Sequence, residues 1–133
     1  IGPYLPDPRT PLAGPLGGHL QAPPGEQVPN DEVTTLKTVA LTRLVCPDTN
    51  IPSTTALSIL DPGAGRRNGL TRGANVVMPN LTPPHYRQLY QIYPGKAGVH
   101  ESVETLTENV FRLIAALGRT VGEGPGGREK RVG

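Results

Sequence analysis

The chain has 133 residues, of which 35% are hydrophobic and none is tryptophan, which is thin for a core that stands alone. A formal net charge of +2 and a pI near 8.9 single out no partner, and because aromatic residues do not interleave with the basic ones, nucleic-acid binding is set aside. A single cysteine excludes an internal disulfide framework and fits a reducing, cytoplasmic setting, and no apolar run reaches the roughly 20 residues of a membrane helix, so no membrane partner is expected.

In chain order, residues 1–6 (Ile-Gly-Pro-Tyr-Leu-Pro) read as a strand end running out into a loop. The first residues carry no initiator methionine, which suggests a piece of a longer protein. Residues 7–29, crowded with proline and glycine, form a long irregular connection. Asn30 is a good N-cap, with Asp31 and Glu32 in the first turn where the helix dipole favours negative charge. Val33, Leu36, Val39, Ala40 and Leu44 then follow at helical spacing, and Pro47 stops a helix over 31–45. Cys46, at its end, reads as a small buried apolar residue. Residues 50–55 (Asn-Ile-Pro-Ser-Thr-Thr) read as a short strand with Thr54 and Thr55 at its tip.

Asp61-Pro62 has the form of a cap followed by proline at the first helical position, predicting a helix over 62–72 closed by Gly73. Residues 74–78 (Ala-Asn-Val-Val-Met) are apolar and β-branched and read as a buried strand. Thr82-Pro83 repeats the cap signal and opens a short helix to about Tyr90. Ser102 caps the clearest helix, 103–117, whose stripe is Val103, Leu106, Val110, Leu113, Ile114 and Leu117. The division is thus residues 1–100, a C-terminal helix at 101–118, and a disordered tail at 119–133, rich in glycine and charge. Strands alternating with helices indicate a parallel sheet with helical cover, of the α/β class. Two strands and a strand end are too small a parallel sheet to stand by themselves, so they read as the last units of a larger α/β structure.

In such folds reactive groups lie at the C-terminal ends of strands. Two places qualify. Thr54 and Thr55 offer adjacent hydroxyls, a neutral cradle suited to a carboxylate, although spacing alone favours ordinary strand-end and capping groups. Met78, after the second strand, reads more simply as core. Tyr86, Tyr90 and Tyr93 either line a pocket mouth or pack the last helix. The run 63–69 (Gly-Ala-Gly-Arg-Arg-Asn-Gly) misplaces the third glycine of a dinucleotide fingerprint. It offers Arg66 and Arg67 to a phosphate, with a solvated helix start as the plainer reading. The Asn80-Leu81-Thr82 sequon is discounted because Pro83 follows it at a strand end. His19, His85 and His100 show no metal-ligand spacing, so no metal site and no catalytic residue is assigned.

Five segments in order carry a resemblance. They are residues 1–12 (IGPYLPDPRTPL), 35–44 (TLKTVALTRL), 47–57 (PDTNIPSTTAL), 73–84 (GANVVMPNLTPP) and 86–96 (YRQLYQIYPGK). Together they are similar to the HydE family of radical S-adenosylmethionine (SAM) enzymes, which mature the H-cluster of FeFe hydrogenase. Biotin synthase and methylornithine synthase are weaker relatives of the same architecture. No resemblance is claimed from residue 101 onward.

The resemblance implies the C-terminal part of a radical SAM (β/α)8 TIM barrel, from about its sixth strand, with a flexible tail. It implies a 4Fe-4S cluster and SAM, bound mainly by a part that this sequence does not contain. The radical formed there would act on a small iron-containing or amino-acid-like substrate, alongside other hydrogenase maturation proteins. It also implies that Thr54, Thr55, Met78, Tyr90 and Tyr93 line the substrate cavity, reversing the plainer readings. Family members often carry cysteines for an accessory cluster just past the Pro-Gly-Lys. Here residues 97–101 read Ala-Gly-Val-His-Glu, so no accessory 2Fe-2S cluster is expected. The fragment would be inactive alone. The competing readings are a fragment of a related radical SAM enzyme, or a non-catalytic barrel remnant.

Overall fold

A computed structural model describes residues 2–3, 9, 23, 25–26, 28–87, 89, 101–124 and 126–127. The irregular connection read over 7–29 lies almost wholly outside them, as do Tyr90 and Tyr93. The first helix, α1 (Glu32–Val45), starts one residue later than expected. Its cap is Asp31, whose carboxylate accepts from the Thr34 N–H at 2.7 Å and from the Thr34 hydroxyl at 3.2 Å. That pairing satisfies one of the amide groups a helix start leaves open.

The buried face of α1 also departs from the expected stripe. Thr35, Leu36 and Val39 are buried, while Val33 and Leu44 are 61% and 77% exposed. The shift is possible because the α1 threonines satisfy themselves. The Thr35 hydroxyl donates to Asp31 O at 2.8 Å, and Thr38 and Thr42 donate to the carbonyls four residues back. Cys46, at the C-cap, is exposed rather than buried, because it has already left the face that packs.

The strand β1 (Pro52–Ser53) is shorter than expected, because Thr54 ends it and caps a helix absent from the sequence reading, α2 (Thr55–Leu60). Asp61 does not cap a helix at Pro62. Its carboxylate instead accepts from the Gly63 and Ala64 N–H groups, both at 3.0 Å, which holds a turn and delays α3 to Gly65–Thr71. Gly73 closes the unit with φ +120, a backbone conformation that suits glycine alone. The chain then enters β2 (Val76–Val77), which pairs with β1 in parallel, Pro52 opposite Val76 and Ser53 opposite Val77. Strand, helices and parallel strand thus follow one another as expected, and the described part is an α/β unit around a two-stranded parallel sheet. The helix after β2, α4, is confined to Pro84–Arg87, and α5 (Val103–Ala116) follows its Ser102 cap as expected. Residues 119–124 carry no helix or strand.

The core is built where α1 and α3 lie against the sheet. Val39, Ile51, Leu70 and Ala74 form one buried cluster, joined by Val77 and by Leu113 and Leu117 of the expected α5 stripe. Leu57 of α2 is 1% exposed. Gly69 allows the close approach of α3 to β1, since a Cβ there would stand 2.6 Å from the Ser53 hydroxyl and 3.0 Å from a Leu57 methyl. The Ser53 hydroxyl, buried in this seam, donates to Arg66 O at 3.0 Å.

Polar side chains bind the ends of these elements together. The Arg43 guanidinium donates to Gly73 O at 2.9 Å, Pro47 O at 2.6 Å and the Asn75 side-chain oxygen at 3.0 Å. That oxygen also accepts from the Ile51 N–H at 2.8 Å, and the Asn75 amide donates to Asn50 at 2.9 Å. One network therefore fixes the end of α1 to the starts of both strands, and so fixes where the strand tips lie. Among the described residues, no helix is long and apolar enough to cross a membrane.

Candidate functional site

The parallel register places the C-terminal ends of β1 and β2 side by side, so the residues that follow Ser53 and Val77 emerge at one end of the sheet. Those residues are Thr54-Thr55 on one strand and Met78 on the other. Thr54 is extended (φ −73, ψ 156), and its Oγ1 accepts from the Leu57 N–H at 3.4 Å as the α2 cap. Its hydroxyl proton is left to donate elsewhere. Thr55 opens α2 and is half-buried. Gly2 reaches the same place, since a Cβ on it would lie 2.8 Å from Thr54 Oγ1. The backbone at Gly2 therefore lies close against the tip of β1.

Met78 is 50% exposed rather than packed in a core. The structure brings Thr54, Thr55 and Met78 to one end of the sheet, but not into one cavity. Thr55 lines a cavity of about 300 Å³ among α2, α3 and α5, which Met78 does not enter. Val77 and Pro79, on either side of Met78, line a second cavity of about 800 Å³ between β2 and α5. Tyr86 is 55% exposed and its ring lies against His85, centroids 4.0 Å apart.

The loop after β2 is held by a residue that sequence reasoning passed over. Arg87 is only 3% exposed. Its guanidinium donates to Thr82 O, to Asn80 O at 3.1 Å and to Glu101 O at 2.6 Å. Three carbonyl groups around one fixed cation determine the path of residues 80–87 and connect it to the start of α5. Thr82, expected as a cap, serves through its carbonyl instead, and its N–H donates to the Asn80 side chain at 3.2 Å. Nothing in the spacing marks Arg87, because a lone basic residue in a tyrosine-bearing helix reads as solvated. Ser58, which lines the smaller cavity with Thr55, has no role in the sequence reading, while Arg66, on the same cavity, has only that of a possible phosphate contact.

The donor set does not suit an iron–sulfur cluster. Such a cluster needs several thiolates, and the chain has one cysteine, exposed at the end of α1. Among the described residues, no three His, Cys, Asp or Glu side chains come together in a group that would hold a metal ion.

No family model matches the sequence. Among curated proteins, the chain is similar to the [FeFe] hydrogenase maturase subunit HydE of Thermotoga maritima, at 48% identity over 130 residues, 98% of this chain and 34% of that protein. The chain thus spans about a third of the length of the curated relative it matches. An alignment that covers 98% of the chain also runs past residue 100 and into α5, further than the five motif segments reach. The resemblance carried by those motifs is borne out, and over nearly its whole length this chain is a homologue of the HydE maturase subunit.

Proposed function

We propose that this chain forms the substrate end of a radical SAM (β/α)8 barrel of the HydE kind, its C-terminal part, and serves H-cluster assembly of FeFe hydrogenase in the cytoplasm with the other maturation proteins. The observation that carries the reading is the parallel pair itself. Its register brings Thr54, Thr55 and Met78 out together at the C-terminal ends of two strands, where α/β barrels place their chemistry. Similarity to HydE supplies the reaction class.

Cluster and SAM belong to the part of the enzyme outside this sequence. What this chain contributes is binding and orientation. The Thr54 and Thr55 hydroxyls donate to a carboxylate of a small iron-containing or amino-acid-like substrate, and Met78 supplies an apolar wall at the same end of the sheet, outside the Thr55 cavity. Thr54 is suited to this role because its oxygen is held by the Leu57 N–H while its proton is free. Tyr90 and Tyr93, outside the described residues, complete the wall, and no accessory 2Fe-2S cluster follows Lys96. Fixing a substrate relative to its reagent lowers a barrier by making the encounter intramolecular.

The test is Thr55→Val in the full-length enzyme, which keeps the shape and removes the donor. Loss of a hydrogen bond to a charged group weakens substrate binding by about tenfold or more. Unchanged maturation activity together with unchanged SAM cleavage would show that Thr55 has no such role.

A further inference from the structure

We propose that the cavity walled by α2, α3 and α5 is a binding site for a small oxyanion, a carboxylate or a phosphate, held by the Arg66 guanidinium and the Ser58 hydroxyl. Ser58 Oγ and Arg66 Nε are both buried, both belong to residues lining this cavity, and neither has a hydrogen-bond partner. Buried polar groups are nearly always paired, so two unpaired ones on residues that line one cavity call for a polar partner.

The charge around them has one sign in excess. Arg66 and Arg67 line the cavity together, and among the described residues Glu101 is the one carboxylate on its wall, itself exposed. Arg66 forms no ion pair with it. Burial alone lowers the Arg66 pKa from its ordinary value, through desolvation. A guanidinium remains charged under these conditions, and a desolvated cation without a counter-charge is best satisfied by an anion. Its planar fork matches the two oxygens of a carboxylate or phosphate, and the Ser58 hydroxyl and the Asn109 amide, on the same wall, add neutral donors. A volume of about 300 Å³ limits the ligand to a compact group. The pair Arg66-Arg67 stood out in the sequence as a possible phosphate contact, and the structure divides it: Arg67 is exposed at the rim, while Arg66 carries the buried donor.

This inference goes beyond the maturation reading although Thr55 lines the same cavity, since Arg66 and Ser58 carry it and its test reads binding alone. The full-length protein that carries this chain is titrated with inorganic phosphate, and separately with acetate, at constant ionic strength, with melting temperature as the readout. A ligand that binds the folded state raises that temperature with concentration. The wild type responds to at least one anion, and the stronger response identifies the class. Arg66→Gln weakens the response by about tenfold or more, and Ser58→Ala by about threefold. Glu101→Gln strengthens it by removing the repelling carboxylate. Should Arg66→Gln fail to fold, as judged by circular dichroism, the opposite shifts of Ser58→Ala and Glu101→Gln decide the matter. No response in the wild type to either anion overturns the proposal. So does an equal response in Arg66→Gln, or the absence of opposite shifts in the other two variants.

Discussion

Helix α1 has two apolar faces with opposite fates. One, carrying Leu36 and Val39, is pressed onto the sheet, with Val39 at 1% exposure. The other carries Val33, Leu41, Leu44 and Val45, which are 61% to 78% exposed. The residue types are the same, and only the neighbours differ. Burial on the first face depends on what lies across from it, a parallel strand pair and α3, whose glycine permits close approach. The second face is left largely open to solvent among the described residues. What a side chain contributes is therefore set by its partner and not by its own hydropathy, and each prediction below tests that contrast.

The largest effect is expected at Leu57. Truncating a leucine that is 1% exposed removes transfer free energy and leaves a cavity, so Leu57→Ala costs about 2–5 kcal/mol in urea unfolding. A cost under about 1 kcal/mol would show that the seam between α2, α3 and β1 relaxes freely and that the contrast between the faces is weak. Gly69→Ala sharpens the same point because two effects oppose each other. Helix propensity favours alanine by about 1 kcal/mol. The added methyl, however, would stand 2.6 Å from the Ser53 hydroxyl. Overpacking of that kind costs about 1–3 kcal/mol, so a net destabilisation is expected. A stabilised variant would mean that α3 can withdraw from β1. A smaller loss, about 1 kcal/mol, follows Asp31→Ala through its lost cap bond to Thr34. No loss would mean that another group caps α1.

Legibility in the sequence followed the same division. Local signals were readable: Ser102 caps α5, Gly73 ends α3 in a left-handed turn, and strand, helix and parallel strand follow in order. Signals that depend on a partner were not. The periodicity of α1 fits either apolar face, and only the sheet selects Thr35-Leu36-Val39. Thr54-Thr55 read as a strand tip, which is where they lie, yet the same hydroxyl that ends β1 also starts α2. Asp61-Pro62 has the form of a helix start, but its carboxylate is used in a turn. At the site, the positions of Thr54, Thr55 and Met78 were legible because strand ends are local features. Arg87 and Ser58 were not, and Arg66 was legible only as a possible phosphate contact or a solvated helix start, since burial of a charged or hydroxyl side chain is decided by distant carbonyls and cavity walls.

The smallest expected effect lies on the outer face of α1, and it gives the sharpest test of the comparison. Leu44 is 77% exposed, so Leu44→Gln removes little apolar burial and substitutes a residue of good helix propensity. Unfolding of the full-length protein that carries this chain should therefore change by less than about 0.5 kcal/mol, the usual range for a surface substitution. Val39→Ala, five residues earlier on the buried face, serves as the internal control and should cost more. A Leu44→Gln loss equal to that of Val39→Ala would mean that the outer face of α1 is also covered in solution. The two faces would then differ in what covers them and not in whether they are covered.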